Sequence, residues 1–221
     1  MYADVNGIQL YYDIIGSGRP LLMLHGNGED HTIFQEAADV LCRHYACYLI
    51  DTRDHGRSTK VSALHYEDMA KDILAFLELK DMNDVIVYGF SDGGIMGLLA
   101  AQQTDRISDL IVSGANLTPS AVTGPIKLLI DVMAAVNPKD EKVRLMKEEP
   151  NIDPESLRSI KARTLVLAGD HDAVSKAETV RIAEHIPNAE LRFLQGESHG
   201  SYIVHSRKIG DLLSGWLHRA C

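Results

Sequence analysis

Residues 85–94 read Val-Ile-Val-Tyr-Gly-Phe-Ser-Asp-Gly-Gly. The first four are β-branched or aromatic, which predicts a buried strand, and the Ala/Leu-rich stretch Ile95–Gln103 that follows predicts a helix. Between them stands Gly-x-Ser-x-Gly, a pattern typical of a sharp strand-to-helix turn that exposes a serine hydroxyl. We therefore predict that Ser91 is a nucleophile.

A second match to the same pattern occurs at residues 196–200, Gly-Glu-Ser-His-Gly, also between a predicted strand and a predicted helix. A serine nucleophile needs a base and an orienting acid, which in this arrangement follow it along the chain. Downstream of Ser198, the candidate bases and acids all lie on the last predicted helix. Downstream of Ser91, a candidate base and candidate acids follow predicted strands. We predict that Ser198 is a loop residue beside the site.

Strand and helix patterns alternate outward from this turn, after a hairpin that turns at Asn6-Gly7. The alternation predicts a mostly parallel sheet with helices on both faces. The predicted strands are Tyr2–Val5, Ile8–Ile14, Pro20–Leu24, Ala46–Ile50, Val85–Tyr88, Ile107–Val112, Thr164–Leu167 and Glu190–Leu194. The other predicted helices are Thr32–His44, Tyr66–Leu79, Lys176–His185 and Tyr202–His218.

The alternation is interrupted at residues 118–150. This segment has helical patterns at Ile126–Val136 and Lys139–Lys147, many charges and no predicted strand. We expect a small helical lid at 118–150 inserted into one core domain formed by 1–117 and 151–221.

The base and the acid are sought at the ends of the last two predicted strands, where open α/β sheets bind their ligands. His199 follows the last strand, which makes it the candidate base. Asp170 and Asp172 both follow the strand before it. One of them is expected to form a turn and the other to orient His199, and the pattern leaves both assignments open.

Composition excludes several classes of protein. The 221 residues are 45% hydrophobic and carry a net charge of −9, which fits one globular domain and argues against binding nucleic acid or an anionic membrane. No apolar run approaches the roughly 20 residues of a spanning helix, and the first residues do not resemble a signal peptide. Cys42, Cys47 and Cys221 form no CxxC pair, so we expect reduced thiols and a cytoplasmic location, as a monomer or homodimer.

Motifs for cofactors are missing from the sequence. It has no HExxH, no phosphate-binding GxxxxGK[ST] and no strand-linked GxGxxG, so we expect neither a metal nor a nucleotide cofactor. Arg53 and His55 are expected to support loop structure.

Taken together, the chain resembles the α/β-hydrolase family over nearly its whole length. The matching motifs are His-Gly-Asn-Gly at 25–28, Asp-x-Arg-x-x-Gly-x-Ser at 51–58, the 89–93 turn, Gly-Asp-His-Asp at 169–172 and Gly-x-x-His at 196–199. The resemblance implies a triad of Ser91, His199 and Asp172, with the backbone N–H groups of Asn27 and Asp92 as the oxyanion hole. The Ser-Asp-Gly-Gly form is similar to valacyclovir-hydrolase-like and small carboxylesterase branches.

The activity that this resemblance implies is hydrolysis of a small carboxylic ester, or of a lactone or thioester, through an acyl-enzyme on Ser91. One alternative is a C–C bond hydrolase or a haloperoxidase-like enzyme that uses the same triad. Another is a ligand-binding receptor on the same fold, because a fold does not fix a function.

Overall fold

Eight strands form one sheet in the computed structural model, which describes residues 1–218. The strands are β1 (Tyr2–Val5), β2 (Ile8–Ile15), β3 (Arg19–Leu24), β4 (Tyr45–Ile50), β5 (Val85–Phe90), β6 (Ile107–Ser113), β7 (Arg163–His171) and β8 (Ala189–Ser198). Their order is β1-β2-β4-β3-β5-β6-β7-β8, with β1 and β2 antiparallel and the other six parallel. The predicted mostly parallel sheet is confirmed. Cys221 lies outside the described residues.

Helices cover both faces of this sheet, as predicted. They are α1 (Gln35–Leu41), α2 (Tyr66–Leu79), α3 (Asp92–Ala101), α4 (Gly124–Val136), α5 (Glu141–Glu148), α6 (Lys176–His185) and α7 (Arg207–Leu217). Side chains alternate along a strand, so β5 serves two cores. Val85 and Val87 pack with α2, α3 and α6, whereas Ile86 and Tyr88 pack with α1 and α7. The central strand is thus buried on both sides, which fixes the position of the turn at its end.

Several predicted helix boundaries were wrong. The closing helix begins at Arg207 rather than Tyr202, because Tyr202 and Ile203 are core residues of a turn and not of a helix. Ser206 caps α7 by accepting a hydrogen bond from the Lys208 amide. The predicted helix Thr32–His44 is a 3₁₀ turn followed by α1, which ends at Leu41.

The second Gly-x-Ser-x-Gly match does not stand between a strand and a helix. Strand β8 extends to Ser198, four residues beyond its predicted end, so the motif overlaps the strand. Ser198 itself is exposed. The strand-to-helix geometry that the pattern requires is therefore found at Ser91.

Segment 118–150 contains α4 and α5 and a 3₁₀ turn at Pro119–Ala121. It also contains one β-bridge, between Val122 and Val174, where no strand was predicted. Helix α5 is tied to the rest of the chain through Lys142, which pairs with Asp54, and through Arg144, whose Nη2 donates to the Leu64 carbonyl over 2.6 Å. The function of the segment as a lid stays a prediction. Within the described residues, every helix falls short of the length and apolar character that crossing a bilayer demands.

Candidate active site

The turn between β5 and α3 holds Ser91 in an unusual backbone conformation. Its φ is 52° and its ψ is −115°, which is strained for a residue with a side chain. The two flanking glycines make the turn possible. A methyl group on Gly89 would overlap the Gly93 carbonyl, and one on Gly93 would overlap the Leu24 carbonyl. Close packing of the helix against the sheet therefore projects the Ser91 side chain at the strand end.

Three side chains from different loops form a hydrogen-bonded row at this point. His199 Nε2 lies 3.1 Å from Ser91 Oγ, and His199 Nδ1 lies 2.6 Å from Asp172 Oδ1. These distances suit proton transfer from the hydroxyl to the imidazole, with the carboxylate on the far side fixing the tautomer. The structure thus brings together the three residues predicted as a triad.

The Asp172 side chain is almost fully buried, at 2% exposure, yet hydrogen bonds stabilise its ionised carboxylate. Burial favours the neutral carboxyl, but the hydrogen bond from His199 and those from the Val174 and Gly169 amides outweigh it, so its pKa lies below the ordinary value. A carboxylate held in this way orients the imidazole and stabilises its cation.

The neighbouring Asp170 does not form the turn that the sequence predicted for one of the pair. It lies within β7, and its Oδ1 accepts a hydrogen bond from the Gly196 amide at 2.8 Å. It therefore ties the end of β7 to β8, whereas Asp172 contacts His199.

The glycine-rich loop after β3 lies against Ser91. A methyl group on Gly26 would lie 3.2 Å from Ser91 Cβ. The Gly26 amide donates to Glu29 Oε2 over 2.9 Å, and the Gly28 amide donates to His55 Nε2 over 3.1 Å. Among residues 1–218, the Asn27 amide between them has no acceptor. Fixing both neighbours pre-organises this N–H group.

The side chain of Asp92 is buried at the first position of α3. It accepts a hydrogen bond from Asn27 Nδ2 at 2.9 Å, which joins the two predicted oxyanion-hole residues. Burial raises the pKa of Asp92 to about 6, although the Tyr66 hydroxyl, the Asn27 amide and His199 oppose the rise. In the described part of the chain, its backbone N–H also lacks an acceptor, as expected at the first turn of a helix.

Two cavities meet at His199, and Ser91 lines the smaller of them. The smaller, of about 50 Å³, is bounded by Asp92, Asn116 and apolar side chains of segment 118–150, including Ile126, Ile130 and Met146. The larger, of about 430 Å³, opens beside His199. It is lined by Glu29, Phe90, Thr123, Gly124, Pro125, Ile126, His171, Asp172, Ala173, Ser198, His199, Gly200 and Val204.

Comparison with known sequences identifies the family of the chain. The profile of a family described as "alpha/beta hydrolase fold" matches residues 19–132, just over half of the chain. The chain belongs to the α/β-hydrolase family.

Individual relatives of this α/β hydrolase are distant. The chain is 28% identical over 116 residues to a pimeloyl-(acyl-carrier protein) methyl ester esterase of Aliivibrio fischeri, which covers 52% of this chain and 44% of that protein. The chain therefore matches less than half of that relative's length.

Solved structures share the whole fold. The enol-lactonase of Burkholderia xenovorans superposes with a TM-score of 0.83 at 22% identity, covering 99% of this chain and 100% of that one. A meta-cleavage product hydrolase of Pseudomonas fluorescens gives 0.82 at 16% identity, covering 100% and 98%. At these identities the likeness establishes the fold alone.

Two residues of the 51–58 motif hold loops in this α/β hydrolase. Arg53 makes a two-pronged ion pair with Asp72, both nitrogen–oxygen distances being 2.6 Å. His55 accepts the Gly28 hydrogen bond, and burial lowers its pKa to about 4, which keeps that nitrogen available as an acceptor near neutral pH. Both contacts agree with the structural role predicted for these residues.

One cluster has the spacing of a metal site in residues 1–218, namely Asp30, His31 and Asp51. Three of its four carboxylate oxygens already receive hydrogen bonds. Asp51 accepts from the His31 amide and ring and from the Arg57 amide, and Asp30 accepts from Thr32. The two carboxylates therefore hold the loops that contain these hydrogen-bond donors.

Sequence reasoning missed two residues that shape the site. Glu29 was not singled out, although it lies one residue beyond the His-Gly-Asn-Gly motif and lines the larger cavity. Gly114 lies directly under the imidazole, so that a methyl group there would be 2.7 Å from His199 Cε1. Its position just after β6 was the available signal.

Proposed function

We propose that this chain is a carboxylesterase-type serine hydrolase that cleaves a small carboxylic ester, or a lactone or thioester, through an acyl-enzyme on Ser91. The observation that carries the proposal is the hydrogen-bonded row from Ser91 through His199 to Asp172 at a strained strand-to-helix turn. No cofactor takes part in the proposed reaction, and the proposed setting is the cytoplasm.

The proposed first step forms the acyl-enzyme. His199 Nε2 takes the hydroxyl proton while Ser91 Oγ attacks the ester carbonyl carbon, and the carbonyl π pair moves to its oxygen. As the tetrahedral intermediate collapses, the imidazolium gives its proton to the leaving alkoxide. A water molecule then attacks the acyl-enzyme with His199 again as base, which releases the acid and restores Ser91.

The proposed oxyanion hole consists of the backbone N–H groups of Asn27 and Asp92. Two observations support it: among the described residues neither group has an acceptor, and the Asn27 and Asp92 side chains hydrogen-bond to each other. Donors fixed before the reaction cost no reorganisation in the transition state. Each such donor is typically worth about 3 kcal/mol of transition-state stabilisation.

Cavity size points to a short acyl group. The cavity of about 50 Å³ beside Asp92 is the smaller of the two, and apolar side chains of segment 118–150 bound it. We assign the acyl chain to this cavity and the leaving group to the larger one beside His199, where the imidazole delivers its proton.

A series of p-nitrophenyl esters tests this proposal. We expect kcat/KM to be highest for the acetate and at least tenfold lower for the octanoate, because six more methylene groups do not fit the small cavity. The Ser91→Ala variant should lose all but background turnover, whereas the control Ser17→Ala, in the exposed loop before β3, should keep it. Equal loss in both variants, or none in either, would overturn the assignment of Ser91.

The same measurements separate the alternatives. A C–C bond hydrolase or haloperoxidase-like enzyme would turn over the ester series only weakly, and a receptor would bind a ligand without steady turnover. Rapid hydrolysis of the acetate that depends on Ser91 favours the esterase.

A further inference from the structure

Glu29 places a carboxylate in the larger cavity, next to the proposed nucleophile. A methyl group on Gly26 would lie 2.8 Å from Glu29 Oε2 and 3.2 Å from Ser91 Cβ, so the same glycine contacts both side chains. The Gly26 amide holds Oε2 at 2.9 Å. In the part of the chain that the structure describes, Oε1 receives no hydrogen bond.

The charges around this cavity are of one sign. No lysine or arginine among residues 1–218 lines it, and none lines the smaller cavity. Asp172 accepts a hydrogen bond from His199 Nδ1 over 2.6 Å, and His171 Nε2 lies 3.8 Å from Asp170 Oδ1. Glu29 is therefore the carboxylate of this cavity without a cationic partner within hydrogen-bond distance.

Burial works against an isolated charge at this position. It raises the pKa of Glu29, and the Gly26 amide and His199 oppose that rise. A positively charged group bound in the cavity would favour the ionised form of Glu29 and would be attracted to it. An anionic group would meet Glu29 in a partly enclosed space and be repelled.

We propose that Glu29 is a specificity-determining residue that selects substrates whose leaving alcohol carries a cationic ammonium group. The inference rests on the proposed ester hydrolysis, because the leaving alcohol must face His199 to receive its proton. Phe90 lines the same cavity, and a methyl group on Gly26 would lie 3.4 Å from its ring as well as 2.8 Å from Glu29 Oε2. Aromatic rings attract ammonium groups, quaternary ones included.

The test compares two acetate esters of the same shape. Acetylcholine carries a trimethylammonium group, and 3,3-dimethylbutyl acetate carries a tert-butyl group in its place. We expect the wild-type chain to prefer acetylcholine by about tenfold in kcat/KM, with most of the preference in KM. Glu29→Gln should bring the ratio of the two values to within twofold of 1.

Two further variants control for loop structure and net charge. The amide oxygen that Glu29→Gln introduces can still accept the Gly26 hydrogen bond, so this variant removes the charge and keeps the loop, whereas Glu29→Ala removes both. Glu155 lies in the exposed turn Pro154–Ser159, where it pairs with Arg158. Glu155→Gln makes the same change in net charge and should leave the ratio as in the wild type.

Each outcome bears on one proposal. If the wild type hydrolyses the neutral ester through Ser91 but shows no preference for acetylcholine, or if Glu29→Gln keeps the preference, the role of Glu29 is overturned and the esterase stands. If Glu155→Gln lowers the ratio as much as Glu29→Gln, the net charge of the chain is the cause and the role of Glu29 fails. If the wild type hydrolyses p-nitrophenyl acetate through Ser91 but neither of these two esters, the role of Glu29 is overturned and the esterase stands.

Discussion

Replacing Gly114 with alanine tests the position of the proposed base without substituting a triad residue. Gly114 has a φ of +61° and lies against the imidazole. The added methyl group would be 2.7 Å from His199 Cε1 and 2.9 Å from Nδ1. Carbon atoms in contact are about 3.5–4.0 Å apart, so the ring must move by about 1 Å.

A displacement of that size disturbs both hydrogen bonds of His199. Misplacing a reacting group by about 1 Å can cost about 100-fold in rate, so we expect kcat to fall by about that factor. Alanine at a positive φ also costs about 1–2 kcal/mol of stability, whatever the space around it. A loss of activity caused by unfolding must therefore be separated from one caused by the clash.

Gly7 supplies the matched control. It has a φ of +77° in the first hairpin, and a methyl group there would meet nothing within 4 Å. Gly7→Ala carries the same backbone cost without the clash, so it should lower the melting temperature but leave kcat for p-nitrophenyl acetate unchanged. If folded Gly114→Ala keeps kcat within threefold of the wild type, the reasoning that His199 must occupy this position is refuted.

Three other changes have definite expected results. Asp172→Asn should lower kcat about 10⁴-fold, because the amide favours the wrong imidazole tautomer. Steady-state assays should find KM little changed. A loss of kcat below tenfold would argue against Asp172 as the orienting acid. Asp92→Asn should gain stability relative to the wild type as pH rises from about 4 to about 7. Burial raises the pKa of Asp92 to about 6, so wild-type folding stability falls in that window, by up to about 3 kcal/mol. Urea unfolding at pH 4 and pH 7 measures the difference in unfolding free energy between the variant and the wild type. A difference that does not change with pH would contradict the raised pKa of Asp92. Lys142→Met removes the ion pair between α5 and Asp54 and should speed limited proteolysis within 118–150 severalfold. Lys127→Met removes an exposed ion pair within α4 and should leave the rate of proteolysis unchanged. Equal rates in the two variants would mean that Lys142 does not hold the segment.

Much of the fold and the site could be predicted because local patterns and burial agree. The apolar strand before Ser91 and the glycines after it demand a tight turn, and β5 is buried on both faces. His199 was found by its place after the last strand. The choice of Asp172 over Asp170 could not be made from the residues, because both follow the same predicted strand. The choice depends on where β7 ends, because Asp170 within the strand accepts a hydrogen bond from the Gly196 amide of β8, whereas Asp172 beyond it contacts His199.

What the sequence could not supply depends on contacts between distant segments. Tyr202 and Ile203 have the spacing of a helix but serve as core residues in a turn, so the start of α7 was misplaced. Glu29 looks like an ordinary loop residue until the loop is folded against Ser91. Likewise, only the packed structure places Gly114 under the imidazole.

Labelling with a small fluorophosphonate, followed by intact-mass spectrometry, tests most directly whether Ser91 is an activated nucleophile. We predict one adduct per chain, mapped to the peptide that contains Ser91, and none in Ser91→Ala. An adduct on Ser198, or no adduct on a folded wild-type chain, would contradict it.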